Sequence, residues 1–159
     1  MVPYTIREMQ QSEYALLLSF LYEAIYVPPG MAPPPREIVE QPELQVYVQG
    51  FGAQQYDVAF AAELGGRVVG AAWARIMRDY GHVDDETPSL AMALYPEYRG
   101  QGIGTALLRG LLEQLKAIGF HRVSLSVQQE NTAALHLYRQ AGFETLSKQG
   151  SELLMLCYL

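Results

Sequence analysis

The chain has 159 residues, 50% hydrophobic and 18% charged, so it can bury a core and does not read as a disordered segment. The length suits a single domain over residues 1–159, and a net charge of −6 speaks against a dedicated nucleic-acid binder. One cysteine, Cys157, excludes an intramolecular disulfide framework and a cysteine zinc site, and no metal is expected.

The longest apolar stretch, Tyr14 to Tyr22, contains Ser19 and falls short of the roughly 18 residues of a membrane span. Its acidic neighbours Glu8 and Glu13 do not suit a signal peptide. A cytoplasmic location is therefore expected, with neither membrane nor nucleic acid as partner; a homodimer is compatible. Residues 1–66 hold eight acids and two bases, and the remainder is balanced. That acidic half reads either as a solvated surface or as one that faces a cationic partner.

In chain order, Tyr4 to Arg7 predicts a short strand. A helix follows from a Ser12 cap to Tyr26, with Leu16, Leu17, Phe20, Leu21 and Ala24 on its apolar face. Pro28-Pro29-Gly30 ends it, and Pro33-Pro34-Pro35 stiffens an exposed loop. Residues 36–51 read as helix interrupted by Pro42. Val58 to Leu64 and Arg67 to Ile76 form a hairpin turning at Gly65-Gly66. A polar loop leads to a strand at Ser89 to Leu94, then a glycine-rich loop and a helix from Ile103 to Ile118. A strand at Arg122 to Val127, a helix at Thr132 to Gln140 and two last strands, 144–147 and 152–158, complete the chain. The order predicts an α/β fold with a mixed, mostly antiparallel sheet and about four helices.

Two segments carry chemistry. In the first, an apolar strand stops at Pro96, and Arg99, Gly100, Gly102 and Gly104 lead straight into a helix with an Ile103, Leu107, Leu111, Leu115 stripe. The first N–H groups of a helix lack intrahelical acceptors, and glycines let a ligand approach the backbone, so this start can cradle a phosphate. The spacing fits neither a P-loop nor a dinucleotide fingerprint. In the second, Asn131 stands where a strand gives way to a helix and Gly142 where that helix closes. Asn131 and Tyr138 are seven positions apart, within about 20° of two full helical turns, so they share a face.

Together these segments resemble the GNAT superfamily of N-acetyltransferases. Arg99-x-x-Gly102-x-Gly104 is similar to the family's acetyl-CoA signature. Asn131-x-x-Ala-x-x-Leu-Tyr138-x-x-x-Gly142-Phe143 is similar to its second hallmark. The likeness is specific from Ala71 to Phe143 and implies a GNAT fold that binds acetyl-CoA. It places the pyrophosphate on the amides of Arg99, Gly100, Gln101, Gly102, Ile103, Gly104 and Thr105. It places the pantetheine arm along Met92, Ala93 and Leu94, with Asn131 contacting the chain of the cofactor. Tyr138 would be the general acid to the leaving thiolate, since a thiol has a pKa near 8.5 against about 10 for tyrosine. Substitution of Gly102 or Gly104 by Asp is expected to abolish cofactor binding and leave the fold largely intact.

The chain departs from the family at two positions where relatives carry a catalytic glutamate, here Ser126 and about Pro88. Glu86, in a loop with His82, Asp84 and Asp85, is the candidate base. Cys157, in an apolar final strand, reads as core, so direct transfer in a ternary complex is expected. The acceptor would be a small-molecule or peptide amine. The acidic first half and an aromatic wall of Tyr22 and Tyr26 beside the proline loop point to a cationic one. The alternative is a GNAT-fold module that binds an acyl-CoA and regulates without turnover.

Overall fold

The structure, a computed structural model, describes residues 3–159. Seven strands form one sheet in the order β1-β2-β3-β4-β5-β7-β6. They are β1 (Thr5–Glu8), β2 (Val58–Leu64), β3 (Arg67–Arg75), β4 (Ser89–Leu94), β5 (Arg122–Gln128), β6 (Glu144–Gln149) and β7 (Glu152–Tyr158). Every neighbouring pair is antiparallel except β4 and β5, which run parallel and meet at one register position, Ser89↔Ser124. Four α-helices flank the sheet: α1 (Leu17–Glu23), α2 (Pro42–Gln45), α3 (Ile103–Ala117) and α4 (Thr132–Gln140).

Two cores result, one on each face. On one, the α3 stripe Ile103, Leu107, Leu111 and Leu115 packs against Leu90, Val123, Leu125, Leu153 and Met155 together with α4. On the other, Leu17, Phe20 and Leu21 of α1 pack with Tyr47, Ala71, Trp73 and Ala93, so α1 and α2 cover only the β1–β4 half. Residues 124, 126 and 128 of β5 alternate away from the α3 core, onto the side that α1 and α2 do not cover, where Gly81 packs over Ser124.

Most later elements match the spacing closely, because they carry a full apolar period; β6, exposed throughout, runs on to Gln149 as the outer partner of β7. The first half differs. Gln11–Leu16 is a tight 3-10 turn before a short α1 that ends at Glu23, not Tyr26. Ser12 does not cap it; the Glu13 carboxylate accepts from the Gln10 N–H at 2.8 Å. Residues 36–51 are broken because Pro42 has no N–H to donate and starts a new turn as its first residue.

Buried polar contacts tie this irregular region to the sheet. Trp73 Nε1 donates to the Tyr47 carbonyl at 3.0 Å. Arg75, 2% exposed, pairs with Asp57 at 3.0 Å and donates to the Gln49 carbonyl at 2.8 Å. Cys157 is a buried member of the larger core, and burial raises its thiol above the ordinary range, in keeping with its reading as a packing residue.

Candidate active site

The site begins where two strands part. Tyr95 N–H donates to the Val69 carbonyl at 3.0 Å, so by alternation the main-chain groups of Ala91 and Ala93 face β3. On the other edge, Ser124 N–H donates to the Pro88 carbonyl at 3.0 Å, so those of Leu90, Met92 and Leu94 face β5. Beyond Ser89 the two strands diverge, which leaves the Met92 N–H and carbonyl and the Leu94 N–H on an edge without a strand partner. The Leu94 carbonyl accepts from Arg99 Nε at 3.1 Å. Of the three β4 residues expected at the pantetheine arm, Met92 and Leu94 thus present their main chain to the gap and Ala93 does not.

The open edge runs into the start of α3. Gly100 (φ 75°) and Gly102 (φ 85°) adopt left-handed backbone that other residues resist. Gly102 is the N-cap and has no side chain with which to cap, so the Ile103, Gly104 and Thr105 N–H groups stay available. A Cβ at Gly100 or Gly102 would meet nothing within 4 Å, so the outer side of the loop is open. Free strand-edge amides leading into an uncapped helix start fit the amide-bearing arm and the pyrophosphate of CoA.

Gly104 plays a second part. It is buried, and a Cβ there would lie 3.2 Å from Leu137 Cδ1 and 3.7 Å from Leu94 Cδ1. The expectation that Gly104→Asp spares the fold is therefore corrected: the residue is a close-packing point between α3, α4 and β4. Arg99 also differs from a free phosphate partner. Besides the Leu94 carbonyl, its guanidinium donates to the Glu23 carbonyl at 3.2 Å, and the Glu23 carboxylate lies 3.7 Å away. It joins the glycine-rich loop to the end of α1. Gln101 is exposed and donates back to the Glu97 carbonyl at 3.2 Å.

Asn131 caps α4 by accepting from the Ala134 N–H at 3.3 Å. At the other end, Phe143 N–H donates to the Tyr138 carbonyl and Gly142 N–H to the Arg139 carbonyl, the paired bonds of a Schellman closure. The Phe143 ring meets the Tyr138 ring edge to face at 5.7 Å. The helix stop thus also fixes the tyrosine. Tyr138 is 7% exposed, and burial pushes its phenol up to about 12. Its hydroxyl finds no hydrogen-bond partner among the described residues, yet it is not sealed from solvent.

The acidic loop lies on β5, where Ser124 Oγ donates to the Gly81 carbonyl at 2.6 Å, and its aspartates are paired within that neighbourhood. Asp84 pairs with Arg122, which also donates to Thr87 Oγ1 at 2.9 Å, and Asp85 lies 3.5 Å from both Arg78 and His82. The Glu86 backbone N–H first, then Thr87 and Arg122, hold the Asp84 carboxyl below its ordinary range. Glu86 is exposed, on the side of the Ser89↔Ser124 pair away from the divergence. The aromatic wall is also modified: Tyr22 donates to the Pro34 carbonyl at 2.6 Å, and Arg36 sits 4.7 Å from its ring centroid. The chain's own cation covers that ring. Tyr26 reaches across to the Glu130 carbonyl at 3.3 Å.

Spacing did not disclose a polar group on the open face of β5. Asp79 accepts from Ser89 Oγ at 2.7 Å, and its Oδ2 is sealed from solvent with no donor at normal geometry. Burial raises the Asp79 carboxyl above its ordinary range, opposed by Ser89 and Tyr47. Burial first, then Asp79 and Glu152, raise the Tyr47 phenol. Glu152 of β7 accepts from Ser126 Oγ and from Gln128 Nε2. Nothing in the linear order signals these meetings, which span 26 and 24 positions.

Comparison with known proteins bears on the family and the fold. The sequence profile of the acetyltransferase (GNAT) family matches residues 21–143. A mycothiol acetyltransferase of Pseudarthrobacter chlorophenolicus is 34% identical over 83 residues, 52% of this chain and 26% of that protein. An N-alpha-acetyltransferase of Sulfurisphaera tokodaii is 33% identical over 100 residues, 57% of this chain and 59% of that protein. The matches thus span from about a quarter to three-fifths of these relatives' lengths. Among solved structures, a GNAT-family acetyltransferase from Streptococcus pneumoniae superimposes with a TM-score of 0.71 at 22% identity over 99% of both chains. The PaiA N-acetyltransferase from Thermoplasma acidophilum, solved with coenzyme A, gives 0.70 at 19% identity, again over 99% of both chains. These structural likenesses show the fold, and the profile covers most of the sequence: the chain belongs to the acetyltransferase (GNAT) family.

Proposed function

We propose that the protein is an acetyl-CoA-dependent N-acetyltransferase that passes the acetyl group directly to an amine while both substrates are bound. The observation that carries this reading is the unpaired β4 edge at Met92 running into the uncapped start of α3. Met92 and Leu94 would hold the pantetheine arm, and the amides from Arg99 to Thr105 the pyrophosphate. Asn131 would contact the arm from the start of α4. Bound acetyl-CoA supplies an activated thioester and a thiolate leaving group. The Met92 N–H is free to polarise a carbonyl placed against that edge. Tyr138 acts as general acid: its hydroxyl is unpartnered, and a phenol held near 12 stays protonated across the physiological range. Glu86, exposed outside the gap, would add to the field that draws in a cationic amine and would not take its proton.

The acceptor is a cationic amine: a polyamine, an amino sugar or a basic peptide. Glu37, Glu40 and Glu43 are exposed on the segment around α2 and give that wall a negative field. The S. tokodaii relative's name makes a peptide amine a worthwhile arm. The test is CoASH release with spermidine, glucosamine, a basic peptide and glutamate, at low and high salt. Release with the cationic acceptors, weakened by salt, is the expected result. Acetyl-CoA binding without release on any amine would favour the regulatory module. Equal rates with glutamate would remove the acidic wall from recognition.

A further inference from the structure

The half of the sheet that α1 and α2 leave uncovered carries a carboxylate with a fixed orientation. Glu152 Oε2 accepts from the Ser126 hydroxyl and Oε1 from Gln128 Nε2. Gln128 is held in turn by Ser151, whose Oγ donates to Gln128 Oε1 at 2.9 Å. Among the described residues, no Lys, Arg or His pairs with Glu152. The carboxylates of Glu13, Glu23, Asp57, Glu63, Asp84 and Asp85 all have such partners. Asp79, the other acid of this polar group, keeps one oxygen sealed from solvent.

Ser126 is the end of this arrangement nearest the gap, with the Gly81 backbone packed beside its main chain. It is half-buried and stands two residues beyond Ser124, where β5 leaves β4, across the gap from the free main chain of Met92. A serine hydroxyl has one hydrogen and two lone pairs. Its hydrogen is given to Glu152, so the oxygen is left to accept a hydrogen bond from outside. The other groups around the carboxylate are Gln128, Gln149 opposite it on β6, and the Tyr47 phenol, whose ionisation it opposes.

We propose that Glu152 receives, through the Ser126 hydroxyl, the proton that the acceptor amine must lose before it attacks. The inference rests on the acetyltransferase reading above and assigns the proton-accepting role to this pair. An ammonium N–H gives its proton to Ser126 Oγ while the Ser126 hydrogen passes to Glu152 Oε2, which frees a nitrogen lone pair. The nitrogen–carbon bond then forms as the carbon–sulfur bond breaks. The sulfur takes the Tyr138 proton. The nitrogen sheds its second surplus proton to solvent, Tyr138 regains one from solvent, and Glu152 releases its own. The net products are amide, CoASH and one proton. Glu152 acts through Ser126, so it is a positioning residue as well as the final proton acceptor.

The experiment uses the whole protein with acetyl-CoA and the three cationic acceptors named above, and follows CoASH release. Calorimetry measures acetyl-CoA binding and, separately, spermidine binding to the free protein. Glu152→Gln and Ser126→Ala are each expected to lower kcat by about 10²–10⁴ with acetyl-CoA affinity unchanged. Glu152→Gln should also weaken spermidine binding about tenfold, as a carboxylate is lost. Ser126→Thr, which keeps a hydroxyl, should restore most of the rate. The double variant Ser126→Ala/Glu152→Gln should be no slower than the slower single, because the two act as one unit. Glu152→Gln turnover within threefold of wild type, or losses that multiply in the double variant, would overturn the relay. Wild-type protein that releases no CoASH with any acceptor overturns the acetyltransferase reading itself, a distinct result.

Discussion

On one side of the cleft, the start of α3 and the edge of β4 offer backbone amides and almost no side-chain chemistry. On the other, Ser126, Gln128 and Glu152 are brought together from two strands, with Asp79 and Tyr47 beside them from loops. In the proposed reading, the first wall would serve any thioester of CoA, because main-chain donors recognise the part all such molecules share. The second would discriminate, because side chains change without disturbing the sheet. Both walls rest on the apolar packing of α3, which β5 and β7 share. The first half of the chain is tied differently, by ion pairs: Arg7 with Glu13 at 2.8 Å and Glu63 at 2.9 Å, and the buried Arg75–Asp57 pair.

The largest test of this contrast is a pair of glycine substitutions. Gly104→Asp forces a carboxylate into the packed junction against Leu137 and should cost at least about 4 kcal/mol, read by urea unfolding. Gly102→Asp sits in open space and loses only about 1–2 kcal/mol to its left-handed backbone. It should fold and yet bind acetyl-CoA at least tenfold more weakly. Equal stability of the two variants would mean that α3 is not packed at Gly104. Tyr138→Phe is next: it should slow turnover by about 10²–10⁴ and leave acetyl-CoA affinity and melting temperature in place. Because the hydroxyl has no partner in the free protein, its removal strands no donor. Full turnover in this variant would return Tyr138 to a packing role.

The smallest effect concerns acid. The Arg7 hydrogen bond, chiefly, holds the Glu13 carboxyl at about 2, against an ordinary 4.5. The folded pKa is the lower one, so the stabilisation is complete above about pH 4.5 and is lost as pH falls towards 2. With solvent screening of this half-open pair, about 1 kcal/mol is at stake. Hydrogen exchange at pH 3 should show β1 and the 3-10 turn before α1 loosening ahead of α3. Uniform loosening would mean that the ion pairs do not distinguish the halves.

The contrast also explains what the sequence disclosed. Alternating glycines before a full apolar stripe fix a helix start locally, so the cofactor loop, Asn131 and the Gly142-Phe143 stop were legible. The short α1, the break at Pro42 and the covering of Tyr22 by Arg36 depend on tertiary contacts that overrule local periodicity. Glu152 gave no signal because its partners are set by strand register, Gln128 opposite it and Ser126 two residues along on the same face. The acids at 84–86 drew attention because they adjoin in sequence. In space, Asp84 and Asp85 are occupied by arginines.

Holding the Tyr138 phenol near 12 has a consequence for the timing of the cycle. At pH 7 only about one molecule in 10⁵ would carry a tyrosinate. A proton lent to a thiolate whose own pKa is near 8.5 is lent uphill, by about 5 kcal/mol if transfer is complete. If Tyr138 is the donor proposed above, such a loan would be short and the side chain would soon be recharged from solvent. Each new substrate pair would then meet the same loaded donor, with no memory of the previous turnover.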